Sequence, residues 1–231
     1  MKVIGMLGGM SWESTKLYYH HLNEIVKQRC GGLSSARILL NSVNFATLEA
    51  CLREQDWKQI ANLLSEAGQS VEKGGADGLI ICTNTMHKVF AELEAQLHIP
   101  IFHIADALGQ QLIADGVGKV GLLGTRFTMT DDFFARRLAE KFDIETIVPN
   151  AEDVKRIDDI IFHELCLGDI RAESREIYLQ IMDKLMAEGA GGIALACTEI
   201  ELLVKPEHTS NALYDTTYLH AKAAVDWALS D

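Results

Sequence analysis

Two stretches of the chain repeat one another. Gly75-Ala76-Asp77-Gly78-Leu79-Ile80-Ile81-Cys82-Thr83-Asn84-Thr85 aligns with Gly189-Ala190-Gly191-Gly192-Ile193-Ala194-Leu195-Ala196-Cys197-Thr198-Glu199 at an offset of 114 residues (189 less 75). Each reads as a glycine turn that ends a helix, then a short apolar strand, then a polar residue where the strand stops. A second pair, Ile4-Gly5-Met6-Leu7-Gly8 and Val120-Gly121-Leu122-Leu123-Gly124, lies at an offset of 116 (120 less 4). Two anchors at nearly one offset imply two halves of about 115 residues on one plan. Thr83 and Cys197 are then equivalent strand ends, expected to face each other across a cleft.

The rest of the chain alternates strand and helix patterns. Val3–Leu7 reads as a strand, with a glycine turn leading into a helix over Trp12–Arg29. A strand over Ala36–Val43 and an amphipathic helix over Asp56–Lys73 follow. Leu79–Cys82 reads as a strand, and Met86–Leu97 as a helix broken at Pro100. Ile101–Ile104 is expected to be a strand that crosses into the second half. Beyond it come a helix over Asp106–Ala114 and a strand over Val120–Leu123. Another helix opens at Thr128-Met129-Thr130-Asp131, with Thr128 or Thr130 as its N-cap. A strand over Ile144–Val148, helices over Val154–Leu167 and Ala172–Ala187, and strands over Ile193–Ala196 and Ala212–Tyr214 precede a last helix over Thr217–Leu229. Such alternation gives βαβ units and a parallel sheet covered by helices on both faces. The expected fold is therefore α/β with two pseudosymmetric domains. Residues 1–100 with about 210–231 form the N-terminal one, and residues 101–209 the C-terminal one. Sites in such sheets lie at the carboxyl ends of the strands. Four polar clusters fall there: Met10-Ser11, Thr83-Asn84-Thr85, Thr125 to Thr128, and Cys197-Thr198-Glu199.

A formal charge of −12 argues against nucleic acid or an anionic membrane as the main partner. No apolar run approaches the length needed to span a bilayer, and the N-terminal apolar stretch is too short for a signal peptide. The 5 cysteines show no CxxC pair and an odd count, which fits a reducing cytoplasm. Gly5-x-x-Gly8-Gly9 is not a dinucleotide fingerprint, and no phosphate-binding loop motif occurs. The 8 histidines show no metal-ligand spacing, and His87 and His220 read as isolated packing residues. Asp131-Asp132 reads as a helix-start charge pair.

Among the cysteines, Cys197 ends a strand and begins a turn into a helix, where the helix N-terminus favours thiolate. Cys82 lies within its strand and points away from the face Thr83 uses, so it belongs to the core. Cys30, Cys51 and Cys166 read as structural. Asn84, Thr85 and Thr198 offer hydroxyl, amide and backbone donors suited to a carboxylate, and suited equally to helix capping.

At Gly8-Gly9-Met10-Ser11-Trp12-Glu13-Ser14-Thr15, Cys82-Thr83-Asn84-Thr85-Met86-His87 and Ala196-Cys197-Thr198-Glu199, the sequence resembles the aspartate/glutamate racemase family. Gly124-Thr125-x-x-Thr128 and Asp215-Thr216 extend the resemblance over the whole chain. The resemblance implies two pseudosymmetric α/β domains with the site in the cleft between them, a homodimer, and racemisation of a small amino-acid substrate with no pyridoxal phosphate and no metal. It also implies one proton carrier per domain, on opposite faces of the substrate's α-carbon. Thiol chemistry suits that task, because a thiolate can take a proton and a thiol return one near neutral pH. The catalytic pair carried over is Cys197 and Thr83. The substrate contacts carried over are Met10, Asn84, Thr85, Thr125, Thr128, Thr198 and Glu199.

The sequence departs from the family pattern twice. The first cysteine of the family directly precedes the Asn-Thr pair, and here Thr83 stands in that place. Members specific for acidic substrates carry basic residues at positions that match Leu48 and Cys166, with Leu52 near the same wall. A neutral polar amino acid would suit such a pocket as well as an acidic one. The threonine implies unequal handling of the two enantiomers, favouring the L form. Hydantoin racemisation or decarboxylation on the same scaffold, and an amino-acid-binding protein without catalysis, are the alternatives the sequence leaves standing.

Overall fold

A computed structural model describes residues 1–230 of the chain. It falls into two compact units, Met1–His103 joined by the residues from His220 onward, and Ile104–Leu219.

The first unit holds a parallel sheet in the order β2-β1-β3-β4, with β1 at Ile4–Gly8, β2 at Ile38–Ser42, β3 at Gly78–Ile81 and β4 at Ile101–Phe102. Its helices are α1 (Trp12–Cys30), α2 (Phe45–Glu54), α3 (Trp57–Lys73) and the short α4 (Phe90–Glu94). The central strands β1 and β3 are buried along their whole length. That is why they read as continuous apolar runs rather than alternating ones. Ile4, Met6, Ile80 and Cys82 pack with Tyr18, Leu22 and Ile25 of α1. Ala221, Ala224, Val225 and Ala228, from the far end of the chain, complete this cluster. Each such side chain withdrawn from water contributes roughly 1.5–3 kcal/mol for a Leu, Ile or Val, and less for Ala.

The second unit repeats the plan. Its parallel sheet runs β6-β5-β7-β8, with β5 at Lys119–Gly124, β6 at Glu145–Ile147, β7 at Ile193–Ala196 and β8 at Leu213–Asp215. Its helices are α5 (Ile104–Ala114), α6 (Arg126–Thr130), α7 (Asp132–Phe142), α8 (Ala151–His163), α9 (Ala172–Ala187) and the one-turn α10 (Ile200–Leu203). The last helix, α11 (Thr216–Leu229), begins in the second unit and ends in the first. Substituting β5 for β1, β6 for β2, β7 for β3 and β8 for β4 turns one strand order into the other. The helix-ending glycines match too. Gly75 has φ +97° and Gly189 φ +96°, a left-handed conformation that glycine adopts without a Cβ penalty.

Several expectations need correction. The strand expected over Ile101–Ile104 stops at Phe102. It pairs with β3 in the first sheet, so it does not cross over. Helix α2 has no counterpart among the expected elements; Asn44 caps it, its side chain accepting from the Ala46 N–H. The helix expected over Met86–Leu97 is a 3-10 turn at Thr85–Val89 followed by the short α4. The expected Val154–Leu167 helix starts earlier, at Ala151, and ends at His163, with a 3-10 turn at Leu165–Leu167. Neither Thr128 nor Thr130 caps the helix near 130. The helix that opens there is α7, with Asp131 at its N-cap position, and Thr125 caps the preceding α6, its hydroxyl accepting from the Thr128 N–H at 3.4 Å. Among the described residues, no helix is long and apolar enough to cross a membrane.

Candidate functional site

In the first unit the candidates gather at the carboxyl ends of β1 and β3. After β1 the chain turns at Gly9, whose φ is +85°. A Cβ there would sit 2.1 Å from the carbonyl oxygen of Val43, so only glycine fits. The Gly9 N–H donates to the Thr15 hydroxyl at 2.7 Å, which seats the turn on α1. Met10 follows, 4% exposed, joined to Ser11 by a cis peptide bond. Ser11 caps α1.

After β3 the chain tightens at once: the Thr83 N–H donates to the Ile81 carbonyl at 2.8 Å. Thr83, Asn84 and Thr85 are all buried. Asn84 makes no side-chain cap on the 3-10 turn, so its amide is not spent on the capping role that the sequence allowed it. His87 lies one turn beyond Thr83, and its Nδ1–H donates to the Thr83 carbonyl at 2.9 Å. His87 and His220 are hydrogen-bonded packing residues, as expected, but they do not stand alone. The His87 ring lies 4.6 Å from that of His103 and 5.6 Å from that of His220, centroid to centroid. His220 is pinned from both sides. Its Nε2–H donates to the Phe102 carbonyl at 2.9 Å, and its Nδ1 accepts from the Tyr18 hydroxyl at 2.9 Å. A buried, hydrogen-bonded imidazole layer therefore backs the segment that carries Thr83. Leu48 and Leu52, on α2, are buried apolar residues. Cys82 is fully buried in the core, as expected, and burial pushes its thiol well up from the ordinary range.

In the second unit the equivalent strand ends carry the other candidates. Thr125 and Thr128 lie after β5, with their hydroxyl oxygens 3.2 Å apart. After β7 come Cys197, Thr198 and Glu199, at 6%, 3% and 3% exposure. The Cys197 thiol donates to Glu199 Oε2 at 3.1 Å, and the Thr198 hydroxyl donates to the same oxygen at 2.8 Å. The start of α11 is tied to this strand: the Thr216 hydroxyl donates to the Leu195 carbonyl at 2.8 Å, and the Asp215 carboxylate accepts from the Thr217 N–H.

The electrostatics of Cys197 differ from the sequence expectation. Helix α10 is a single turn, and its N-terminus does not make Cys197 a ready thiolate. Burial, and after it the Glu199 carboxylate and Cys166, hold the thiol well above its usual range. Only the Glu199 peptide N–H acts in the other direction. Cys166, read as structural, belongs to this cluster. Its own thiol is pushed up from its ordinary range by burial and, after that, by the nearby Glu199 carboxylate. Tyr178 and Asp158 complete the surroundings: burial raises both, and Tyr178 also feels Cys197 and Asp158. No spacing in the sequence marks Cys166, Asp158 or Tyr178. The Thr83–His87 link, by contrast, is an i, i+4 pair that was open to reading. Cys30, which also reads as structural, is exposed. Cys51 is half-buried on α2.

Comparison with known proteins identifies the scaffold. The Asp/Glu/Hydantoin racemase family model matches residues 7–224. A crystal structure of a candidate Asp/Glu racemase from Yersinia pestis is 47% identical, covers 100% of both chains and superposes with a TM-score of 0.92. An aspartate racemase homologue from Pyrococcus horikoshii OT3 is 31% identical over 100% of both chains, with a TM-score of 0.84. The aspartate racemase of Picrophilus torridus shares the fold at 19% identity and a TM-score of 0.81, over 99% of this chain and 94% of its own. With the family model spanning both repeated halves, the chain belongs to the Asp/Glu/hydantoin racemase family of isomerases.

Proposed function

We propose that this protein is a cofactor-independent amino-acid racemase in which Cys197 moves the α-proton and Thr83 serves the opposite face of the substrate. One observation carries the reading. Cys197 and Thr83 follow equivalent strands, β7 and β3, in two sheets of identical order. A reaction that inverts a stereocentre needs a proton carrier on each face, and a duplicated fold supplies two equivalent positions. The carbanion formed needs its carboxylate held by preorganised donors. Asn84, Thr85, Thr198, Thr125 and Thr128 are the donors we assign to substrate, with Met10 as a further substrate contact.

The two carriers are unequal. A threonine hydroxyl is a poor base near neutral pH, while a thiolate is a good one. The L enantiomer, which we assign to the Cys197 face, should therefore exchange its α-proton quickly, with much of the exchange returning to the same face. The D enantiomer should react slowly. The buried Leu48 and Leu52 favour a neutral polar side chain on the substrate as readily as an acidic one. We propose a homodimer in the cytoplasm as the working form.

The test follows deuterium incorporation at Cα and optical rotation separately, for each enantiomer of the common amino acids in deuterated water. Fast exchange of an L form with slow inversion is expected. Equal rates of α-proton exchange for the D and L forms would refute the unequal pair. No exchange with any amino acid would leave a binding protein on the same scaffold.

A further inference from the structure

We propose that His87 is a positioning residue for the Thr83 face of the site: its ring holds the Thr83 peptide, and through it the direction of the Thr83 hydroxyl. This rests on the racemase reading above, in which Thr83 serves one face of the substrate and Cys197 the other.

A gap in the backbone bonding creates the role. The chain leaves β3 through a 3-10 turn, Thr85–Val89, and not through an α-helix. In an α-helix the His87 N–H would reach the Thr83 carbonyl, four residues back. In the tighter turn it donates to the Asn84 carbonyl instead, at 3.1 Å. The Thr83 carbonyl is then left without a helical partner in a buried segment, where an unpaired carbonyl is costly. The His87 ring takes the place of that N–H, with Nδ1 2.9 Å from the Thr83 oxygen. A carbonyl only accepts, so Nδ1 carries a hydrogen whatever the charge of the ring. One residue thus fixes two successive carbonyls, Asn84 through its backbone and Thr83 through its side chain. The Thr83 N–H donates to the Ile81 carbonyl at 2.8 Å, so Thr83 is bonded on both sides.

The hydroxyl depends on that hold. Among the described residues the Thr83 hydroxyl has no hydrogen-bond partner, so only its backbone aims it. A β-branched side chain has few χ1 settings, and a fixed peptide confines the hydroxyl to few directions. The ring is itself immobilised. His87 is 2% exposed, and its ring centroid lies 6.2 Å from that of Phe90, stacked at 11°, between the His103 and His220 contacts already described. The second half has no such device. The Cys197 carbonyl accepts from the Ile200 N–H at 3.0 Å, and the position matching His87 is Glu201, at the offset of 114 (201 less 87). There the backbone closes the turn; after β3 a side chain does.

The experiment follows one carbanion to its two fates. An L substrate that has lost its α-proton to Cys197 regains one from Cys197, with retention, or from the Thr83 hydroxyl, with inversion. In the second case the O–H bond breaks, the Cα–H bond forms, and the threonine oxygen recovers a proton from solvent. In deuterated water, chiral chromatography with mass spectrometry reads the initial rates of D-form appearance and of labelling in the L form. Their ratio does not depend on how much enzyme is folded or how tightly substrate binds, so a merely structural loss leaves it unchanged. His87→Phe keeps a ring and removes the donor, and the ratio should fall about 10- to 100-fold. His87→Asn places an amide N–H near the position of Nδ1 and should return the ratio to within about threefold of the wild type. An unchanged ratio in His87→Phe would overturn the inference. So would a wild type that exchanges the α-proton but never inverts, since no chemistry on the Thr83 face would remain to be aimed. A further check needs no variant: nitrogen NMR of histidine-labelled wild type should show a hydrogen on His87 Nδ1 from about pH 6 to pH 8. A bare Nδ1 in that range would contradict the proposal. No exchange with any amino acid in the wild type would sink the racemase reading itself, and this inference with it.

Discussion

The two halves share a strand order and a helix-ending glycine, yet the ends of their equivalent strands are furnished differently. Behind Thr83 lies a layer of imidazoles that bonds the backbone: His87 to the Thr83 carbonyl, His220 to the Phe102 carbonyl. Around Cys197 the Glu199 carboxylate accepts from the Cys197 thiol and the Thr198 hydroxyl, and the Cys166 thiol lies close enough to feel its charge. One strand end is held in position; the other is surrounded by groups that can exchange protons. Duplication supplied two equivalent positions, and the residues around them decide which one can act as a base.

The largest expected effect tests that division directly. Cys197→Ser keeps size and shape but leaves an alcohol that ionises far less readily. The α-proton exchange should fall by about three orders of magnitude in a variant whose circular dichroism is unchanged. Exchange near the wild-type rate would show that the acidic cluster is not the base's setting.

A backbone contrast comes next. Gly9 in the first half aligns with Thr125 in the second. Gly9 has φ +85° and the Val43 carbonyl against its Cα, whereas Thr125 is an extended helix cap with φ −63°. Gly9→Ala should cost about 2–4 kcal/mol in urea unfolding, from strain and clash together. Thr125→Ala should cost only about 1 kcal/mol, the value of a cap. Equal losses would mean the two turns are alike after all.

Thr83→Cys should make the halves more nearly equal. A thiol at that position is expected to raise α-proton exchange of the D form about 10- to 100-fold, read by deuterium incorporation, while exchange of the L form gains less. No gain would mean the surroundings, rather than the side chain, withhold activity from the first half. The smallest effect should come from Tyr18→Phe. It leaves the buried His220 Nδ1 without its donor and should lower stability by about 1–2 kcal/mol with little change in exchange rate. A large loss of exchange with intact stability would give the imidazole layer a chemical part.

The fold is legible where burial makes the signal continuous. The apolar runs of β1, β3, β5 and β7 and the glycines at 75 and 189 make the repeat visible in the amino-acid order itself. Edge elements are less legible. β4 is only Ile101–Phe102, too short to carry a pattern, and α2 follows β2 through an asparagine cap with no breaker to announce it. At the site, Cys197, Thr198 and Glu199 can be named because they are consecutive. Their relation to Cys166 cannot, since Cys166 lies 31 positions before Cys197 (197 less 166) and only the folded chain brings both near the Glu199 carboxylate. The state of the thiol is hidden for a related reason. A sequence shows that a helix follows a cysteine, but not that it lasts one turn, nor how dry the site is.

Helix α11 has a consequence for the order in which the protein is made. The segment 104–219 is continuous, so once synthesised it carries all that its own core requires. The first 103 residues leave the ribosome earlier, but their core lacks Ala221, Ala224, Val225 and Ala228 until the far end of the chain has been translated. The half that emerges first is thus the half that is completed last. Until then, the apolar faces of β1 and α1 that this helix covers stay exposed to whatever else the cell offers them.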